Sequence, residues 1–381
     1  MKALSIAFLT ADNPRDKRSW SGTLYFLLKE IEKSGEVEVY HSYTPQPLRF
    51  LCSAFNFLTL RLFHKRFDYR HSRIMRKALG KEYSKYLKQN DYDLAIVVGS
   101  TSIAAGINTK IPVIYINDRV IQGAMDYHKV LTGLFDFSRQ QSIETDRLAI
   151  EKSTLSVFSS EWAAGAAKKN HSEITSKIKM LPFGANLDVI PGTPAEKVFP
   201  EFPLQLFFAG VHWEDKGGPA ALETLQHLIS KGIDAELIVC GCIPPVIHPK
   251  MKVIGFLNKN NPQEFEKLNG FFRTSDFFIL PTKYEAYGLV FCESAAYGLP
   301  ALAPATGGIT TIIEDGVTGF LLPVDANGKE YAEKIISLIN APEKYSAMRN
   351  AAYARFKNKL NWESWAEGFK KILEESGIGS K

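Results

Sequence analysis

The chain of 381 residues is longer than one ordinary hydrophobic core supports, which predicts two domains. Its 45% hydrophobic and 23% charged residues are typical of a globular protein and exclude an extensively disordered chain. The net charge of +5 is modest, and no known nucleic-acid-binding motif accompanies it, so nucleic acid is not an expected partner.

The N-terminal apolar run, residues 4–9, is short and ends in a turn, which favours a buried strand over a signal peptide. No stretch reaches the roughly 18 uncharged apolar residues of a membrane-spanning helix. The cysteines lie in apolar surroundings without histidines at metal-ligand spacing, so we expect neither a disulfide nor a zinc site. These features predict a cytoplasmic protein that is soluble or peripheral on the inner face of the membrane.

Short apolar runs alternate with longer segments of helical periodicity, which is the pattern of βα units that build parallel sheets. One helix is predicted after Gly22, and another after Ser160, whose hydroxyl can cap it. In the first half, the predicted strands are residues 4–9, 37–40, 94–98, 113–116 and 155–158.

The second half begins after a turn-rich stretch, residues 181–197, which predicts an interdomain connection. Its predicted strands are residues 204–209, 235–239, 252–254, 277–280, 301–303 and 319–322. Its predicted helices lie near residues 219–231, 264–273, 290–297 and 310–314, and helix dominates from residue 328 onward.

A basic and aromatic segment, residues 49–88, contains eleven Lys or Arg residues against Asp68 and Glu82. Large apolar residues are interleaved with these cations in its first part. Such a segment is suited to an anionic membrane interface. It equally fits a solvated helix pair whose aromatic residues face the core of their own domain.

Residues 281–300, PTKYEAYGLVFCESAAYGLP, place two carboxylates eight positions apart around a glycine. The predicted strand ends near Pro281, so Glu285 lies on a loop at the carboxyl edge of the sheet and Glu293 on the helix that follows. On a single helix they would lie about 12 Å apart along the axis. We therefore expect the two carboxylates to bind different atoms.

The start of that helix predicts an anion site between the carboxylates. Its first backbone amides, near Tyr287, Gly288 and Leu289, have no partner in the helix, and Gly288 lets an anion approach closely. A carboxylate accepts pairs of hydroxyl hydrogen bonds well. A nucleotide sugar, which has hydroxyl groups at both ends and phosphate between them, fits this pattern.

The sequence resembles the retaining glycosyltransferases of the GT-B fold, in particular family 4, the glycosyl transferases group 1. The resemblance is carried by E-x7-E from Glu285 to Glu293, by PATGGITTIIEDGVTGFLLP and by FAGVHWEDKGG. It covers nearly the whole chain, densely in the second half and loosely in the first. It implies an α/β fold in which two Rossmann-like domains face each other across a cleft.

The domains expected on this basis are three consecutive stretches. Residues 1–185 form an acceptor-side domain, residues 186–355 form a nucleotide-sugar-binding domain, and residues 356–381 form a helix that returns to the first domain.

The resemblance also implies residue roles. Glu293 would bind the ribose hydroxyls, Glu285 the sugar hydroxyls, and Lys216 the diphosphate, whose charge develops as the leaving group departs. Gly255 and Phe256 would adjoin the base. The full set of implied donor-binding residues is Gly22, Gly210, Lys216, Gly255, Phe256, Ala286, Tyr287, Gly288, Leu289 and Glu293.

Two positions depart from the family pattern. The family usually has an arginine after the strand-end glycine, where this chain has Val211, and Arg119, His212 and Lys283 are candidates to replace it. The first domain of family members often has a histidine at a strand end. The matching stretch here, YINDR, offers Asn117 or Asp118 instead, so the expected catalytic residues are Glu285, Lys216, Asn117 and Asp118.

No metal and no cofactor are expected. The only D-x-D, at Asp91 and Asp93, leads into a strand and is typical of a turn. The resemblance implies metal independence, with retention through same-face attack and no side-chain nucleophile.

The expected function is transfer of a sugar from a nucleotide-sugar donor to a glycan, lipid-linked or small-molecule hydroxyl, in the synthesis of cell-surface glycans, glycolipids or related glycoconjugates. A catalytically degenerate nucleotide-sugar-binding scaffold is the alternative, and Val211 is its best support. A sugar-nucleotide 2-epimerase is a further alternative, which needs acid/base groups such as Asp118 and His128.

Overall fold

The computed structural model describes residues 4–42, 46–125, 127 and 131–378, so His128 lies outside the described residues. The chain divides into two compact units. Unit 1 is Met1–Leu181 with Ala366–Lys381, and unit 2 is Pro182–Trp365. None of the helices in the described part of the chain combines the length and apolarity that crossing a bilayer requires.

Unit 1 is built on a six-stranded parallel sheet with the order β2-β1-β3-β4-β5-β6. The strands β3, β4 and β5 are buried at every position, which explains why each is a continuous apolar run in the sequence. The strands of this sheet are β1 (Leu4–Thr10), β2 (Gly35–His41), β3 (Leu94–Val98), β4 (Val113–Asn117), β5 (Leu155–Phe158) and β6 (Ile178–Met180).

Helices α1 to α7 of unit 1 lie between these strands along the chain. As predicted, the hydroxyl of Ser160 caps a helix, accepting a hydrogen bond from the amide of Ala163 at 3.2 Å. The helices are α1 (Thr23–Ile31), α2 (Gln46–Phe63), α3 (Arg73–Leu87), α4 (Thr101–Gly106), α5 (Ile121–Ala124), α6 (Asp136–Lys152) and α7 (Glu161–Asn170).

Unit 2 repeats the architecture with the strand order β12-β11-β10-β7-β8-β9, again all parallel. Its strands are β7 (Leu204–Ala209), β8 (Ala235–Cys240), β9 (Met251–Gly255), β10 (Phe277–Ile279), β11 (Ala301–Pro304) and β12 (Gly319–Leu322). The helices that follow are α8 (Gly218–Ser230), α9 (Pro262–Thr274), α10 (Leu289–Ala296), α11 (Ile309–Ile312), α12 (Gly328–Ile339), α13 (Pro342–Lys359) and α14 (Trp362–Glu375), the last of which runs into unit 1.

The predicted α/β fold class is confirmed, and every predicted strand is present. The sequence missed β6, which is only three residues long and therefore shows no periodicity.

The division into units differs from the predicted boundaries at residues 185 and 355. The amide of Leu181 still donates to Phe158 O on β5 at 2.9 Å, which ends unit 1 there. Residues 356–365 remain with unit 2 because the Ala185 amide donates to Leu360 O at 2.9 Å and the indole Nε1 of Trp362 donates to Asn186 Oδ1 at 3.0 Å.

Candidate functional site

The site predicted in unit 2 lies where the order of its sheet reverses. From β7 the chain proceeds outward through β8 and β9, and then returns to place β10 on the other side of β7. Loops at the carboxyl ends of two such strands diverge and leave a crevice, which is where open α/β sheets bind ligands. The loops after β7 and β10 carry Lys216 and Glu285 respectively, so the topology itself brings these two predicted residues together.

Lys216 and Glu285 form an ion pair across this crevice. Lys216 Nζ lies 2.5 Å from Glu285 Oε2, and each side chain keeps about a fifth of its surface exposed. A pair at this depth is screened less than a surface pair and remains accessible to a ligand. The arrangement therefore offers one cation and one carboxylate to the same small volume.

Glycines allow the loops after β7 and β10 to approach each other closely. Gly217 adopts a φ of +78°, and a Cβ there would collide with the carbonyl group of Pro281 at the end of the opposite strand. A Cβ on Gly210 would lie 2.9 Å from Lys216 Cγ, so Gly210 gives the lysine stem room to fold over the strand end. The amide of Lys283 also donates to Asp215 O at 3.1 Å, which joins the loops directly.

Glu293 has a separate lysine partner. It lies on α10 and is 3% exposed, and its Oε1 is 2.6 Å from the Nζ of Lys259 on the loop after β9. Burial raises the pKa of Glu293 above its usual value, and the nearby ammonium of Lys259 opposes this rise. The two carboxylates therefore differ in environment, as expected of groups that bind different parts of a ligand.

The start of α10 lies between the two carboxylates in sequence. Gly288 caps this helix with a φ of +97°, a conformation that side chains rarely adopt. The amides of Leu289 and Val290 have no carbonyl partner within the helix because they belong to its first turn. Together with the positive end of the helix dipole, they favour an anion at this point.

The backbone that precedes α10 packs closely against Gly308. A Cβ on Gly308 would lie 2.5 Å from Ala286 O and 2.7 Å from Tyr287 Cα, so this glycine is required for close packing. The side chain of Tyr287 points into the interior, where its hydroxyl donates to Phe183 O at 2.7 Å. Only the backbone of Tyr287 is therefore available to a ligand, and its role in binding stays a prediction.

Glycines at the ends of β7, β8 and β9 form a row beside the loop that carries Lys216. The amide of Gly210 donates to Cys240 O at 2.9 Å, and the amide of Gly241 donates to Gly255 O at 2.8 Å. Gly241, which the sequence analysis did not single out, approaches Gly210 so closely that a Cβ would lie 2.7 Å from its carbonyl oxygen. Phe256 follows Gly255 in the chain, and its exposed ring could stack on a base.

The departure at Val211 remains visible in the structure. Val211 is exposed, and its neighbour His212 is exposed as well. Lys259 supplies a second cation within unit 2 that sequence reasoning missed. Its position on the loop directly after the predicted base-binding residues Gly255 and Phe256 was the signal that could have identified it.

The remaining predicted residues lie in unit 1, at the corresponding edge of its own sheet. Gly22 precedes α1 with a φ of +93°. Asn117 ends β4, is buried, and donates from Nδ2 to the hydroxyl of Tyr115, while its Oδ1 accepts from the amide of Asp118 at 2.9 Å.

Trp20, a further residue that sequence reasoning missed, orients Asp118. Its indole Nε1 donates to Asp118 Oδ2 at 3.0 Å, and its ring packs against Gly99 at the end of β3. Trp20 and Ser21 both have positive φ values, of 47° and 58°. Backbone strain at two adjacent non-glycine residues costs about 1–3 kcal/mol each and is typical of functional loops.

Asp93, part of the D-x-D, has a structural partner. Its Oδ2 accepts from the amide of Ser5 at 2.9 Å, and its own amide donates to Ser5 O at 2.8 Å. The carboxylate thus fastens the entry to β3 onto β1, and the structure shows no turn at residues 91–93.

Taken by itself, the edge of the sheet in unit 2 can bind a ligand that is anionic in the middle and rich in hydroxyl groups. Lys216 and the amides of α10 suit phosphate, and Glu285 and Glu293 suit hydroxyl pairs.

Comparison with known proteins agrees with this description. Residues 193–355 match the family model described as glycosyl transferases group 1. An uncharacterized glycosyltransferase of Methanocaldococcus jannaschii is 31% identical over 132 residues, which cover 32% of this chain and 37% of that protein. The chain spans at most half the length of the curated relatives that were compared.

Solved structures match over nearly the whole chain. Anabaena HepE in complex with UDP and glucose is 14% identical with a TM-score of 0.64, covering 97% of this chain and 99% of that chain. Sucrose-phosphate synthase from Thermosynechococcus elongatus is 13% identical with a TM-score of 0.66, covering 97% and 98%. The fold of the chain is thus that of GT-B glycosyltransferase structures, and residues 193–355 match the glycosyl transferases group 1 model.

Proposed function

We propose that the protein is a retaining glycosyltransferase of family 4 that transfers a sugar, with a hexose as the expected type, from a nucleotide-sugar donor to a hydroxyl acceptor. The observation that carries the proposal is the pair of lysine–carboxylate contacts, Lys216 with Glu285 and Lys259 with Glu293, at the edge of the sheet in unit 2. Both pairs lie within the matched domain. Anabaena HepE, which has a similar fold, binds UDP, glucose and UDP-glucose.

In this proposal each group of unit 2 serves one part of the donor. Glu293 accepts hydrogen bonds from the ribose hydroxyls, and the ammonium of Lys259 favours the ionised form of that buried carboxylate, opposing the rise in its pKa that burial causes. Lys216 and the first amides of α10 hold the diphosphate, and Glu285 accepts from hydroxyl groups of the sugar. The exposed ring of Phe256 stacks on the base.

Diphosphate binding requires Lys216 to exchange partners. In the structure its ammonium contacts Glu285, and the donor replaces this contact with a phosphate oxygen while Glu285 turns to the sugar. Because both side chains are already ordered at the site, donor binding costs little additional side-chain entropy.

The proposed reaction follows same-face attack. The bond between the anomeric carbon and the leaving phosphate oxygen breaks, and a bond from the acceptor oxygen to that carbon forms on the same face. The acceptor proton passes to the departing phosphate oxygen, whose charge Lys216 and the helix amides stabilise. This route uses no side-chain nucleophile, and we propose that it needs no metal or cofactor.

We propose that unit 1 serves the acceptor and the sugar through Asn117 and Asp118, with Gly22 on the neighbouring loop. The contact of Asp118 with Trp20 supports this assignment, because a carboxylate held in one orientation is suited to receive a hydroxyl group. The acceptor class is a glycan, lipid-linked or small-molecule hydroxyl, and the cytoplasmic location stays a prediction.

A donor screen tests the proposal. UDP-, GDP-, ADP- and TDP-sugars are added without metal, and thermal shift and slow donor hydrolysis are followed for the wild type and Glu293→Gln. One nucleotide sugar should stabilise the wild type and be hydrolysed by it, with both effects lost in the variant. Glu374→Gln, which changes an exposed helical carboxylate, is the matched control.

The outcomes separate the proposal from its alternative. Binding of one nucleotide sugar without hydrolysis or transfer to any acceptor would favour the nonenzymatic scaffold, which the exposed Val211 at the usual arginine position supports. No response to the whole panel, or equal responses in wild type and Glu293→Gln, would contradict the assigned donor site.

A further inference from the structure

Helix α2 presents its large apolar side chains outward. Among the described residues, eight exposed apolar side chains belong to this one helix, and Phe50 is 74% exposed and Leu62 67%. The eight are Phe50, Leu51, Phe55, Phe57, Leu58, Leu60, Leu62 and Phe63. An accumulation of this kind marks an interaction surface, because monomeric proteins rarely leave such patches uncovered.

The side of α2 that faces its own unit is small and polar. Cys52 and Thr59 are buried, while Asn56 is half-buried; they follow one another at helical spacing. Asn56 Oδ1 accepts from the amide of Phe67 at 2.8 Å, and the Thr59 hydroxyl donates to Asn56 O at 3.1 Å. The Asn56 contact joins the helix to the segment that follows it, and the burial of Cys52 and Thr59 marks the side that faces unit 1, so the apolar side chains point outward.

The charge around this face is of one sign. No carboxylate occurs between Glu38 and Asp68, and the same stretch carries exposed Arg49, Arg61 and Lys65. Two copies of such a face would bring like charges together, which disfavours self-association. Apolar side chains flanked by unopposed cations are instead complementary to a bilayer that contains anionic lipid.

Helix α3 does not share this character, although the sequence grouped it with α2. Its apolar side chains Met75, Leu79 and Tyr83 are buried in the core of unit 1. Two of its cations, Arg73 and Arg76, are paired with Glu144 at 3.3 and 3.2 Å. The structure thus restricts the surface suited to a membrane interface from residues 49–88 to α2 and the residues immediately after it.

We propose that α2 binds anionic membrane surfaces by lying parallel to the bilayer plane with its apolar face inserted among the lipid headgroups. At 18 residues the helix is about 27 Å long, and insertion along its length buries several aromatic and leucine side chains at once. Arg61 lies within the apolar face and can extend its guanidinium to lipid phosphate. This inference does not depend on transferase activity, because membrane binding requires no donor.

Vesicle flotation with the full chain tests this proposal. The wild type is mixed with vesicles of equal parts phosphatidylglycerol and phosphatidylcholine, or with phosphatidylcholine alone. Binding is expected on the anionic vesicles, with weaker binding on the neutral ones. Leu51→Ser/Leu62→Ser should weaken binding by at least about tenfold, because each buried leucine contributes to insertion.

A matched control changes two equally exposed apolar residues elsewhere. Val189→Ser/Val198→Ser alters side chains that are 76% and 80% exposed in unit 2 and should leave flotation unchanged. Arg49→Glu/Arg61→Glu should weaken binding to anionic vesicles, and added salt should do the same. Unfolding temperatures of all variants establish that each is folded.

Three results would overturn the proposal. The wild type could fail to float with anionic vesicles, or it could float equally after Leu51→Ser/Leu62→Ser. Alternatively, light scattering could show a dimer that this variant abolishes while flotation is unchanged, which would assign α2 to a second copy of the chain.

Discussion

Lys259 and Glu293 form an ion pair in which the glutamate side chain is almost completely buried and the lysine side chain is one-fifth exposed, with 2.6 Å between Nζ and Oε1. Removing one partner of a buried pair costs more than the pair contributes, because an uncompensated charge remains in the interior.

Lys259→Met is therefore expected to lower the free energy of unfolding by about 3–5 kcal/mol at neutral pH. The loss should shrink in acid, because the pKa of Glu293, already raised by burial, rises further without the lysine and the carboxyl group is then neutral. Urea unfolding at two pH values measures this. Lys259→Met/Glu293→Gln should recover part of the stability.

Lys250→Met is the control for that experiment, because Lys250 pairs with Asp234 at 2.7 Å on the surface. It should change stability little at either pH. Equal losses in Lys250→Met and Lys259→Met would contradict the special position assigned to the buried pair.

Alanine substitutions at two glycines of similar backbone conformation distinguish the cost of backbone strain from the cost of a steric collision. Gly217 and Gly232 have φ values of +78° and +77°, but a Cβ at Gly217 meets Pro281 whereas one at Gly232 meets nothing within 4 Å. Gly232→Ala should cost about 1–2 kcal/mol of stability and leave transfer intact. Gly217→Ala should cost more and also abolish transfer, because it separates the loops that carry Lys216 and Glu285.

Thermal unfolding and a transfer assay on both variants measure the two effects. Similar stability and activity in Gly217→Ala and Gly232→Ala would show that the loop contact is not required.

Lys216→Ala should reduce kcat by about 10²–10³-fold, the usual effect of removing one charge-stabilising group from a transition state. KM should change less, because the charge on the leaving phosphate develops mainly as the glycosidic bond breaks. Steady-state kinetics with the donor found in the screen separate the two constants. Lys231→Ala, an exposed lysine after α8, is the control, and an unchanged kcat in Lys216→Ala would remove the lysine from the reaction.

Asp146 on α6 predicts a pH dependence of stability. Burial raises its pKa from the usual 3.8 to about 7, and its Oδ1 has no hydrogen-bond partner among the described residues. The folded state therefore holds the proton more tightly than the unfolded state. This contribution to stability is fully present below the usual pKa and is lost as the pH rises to about 7.

Asp146→Asn mimics the protonated acid and should remove this dependence. Between pH 4 and 8 the wild type should lose roughly 4 kcal/mol more than the variant. Denaturant titrations across that pH range measure the difference. Parallel stability curves for the two proteins would contradict the raised pKa.

The strands and the donor-side motif were predictable because both follow from local pattern. Strands such as β3 are buried on two faces and appear as continuous apolar runs, and the loop with Glu285 is recognisable from its spacing to Glu293. The position of Lys259 after Gly255 and Phe256 could have suggested it as a site residue, but its contact with Glu293 was not predictable, since the two residues are 34 positions apart on two separate elements.

The orientation of α2 was also beyond the sequence. The periodicity of this helix allows its aromatic residues to face either the core or the solvent, and the burial of Cys52 and Thr59 shows which side faces unit 1. The break between the units falls at the start of the predicted connection, residues 181–197, and its exact position was not predictable for a related reason. It depends on single hydrogen bonds, such as that of Leu181 with Phe158, rather than on a change in composition.

Unit 1 is assembled from two separate stretches of chain, whereas unit 2 is continuous. The later stretch packs tightly, since a Cβ on Gly368 would lie 2.6 Å from Leu181 Cδ1. Unit 1 is therefore complete only when residues 366–378 are present, whereas unit 2 needs no residue beyond 365. A chain that stopped before residue 366 would therefore lack part of unit 1, which contains its first residues, and would keep every residue of unit 2.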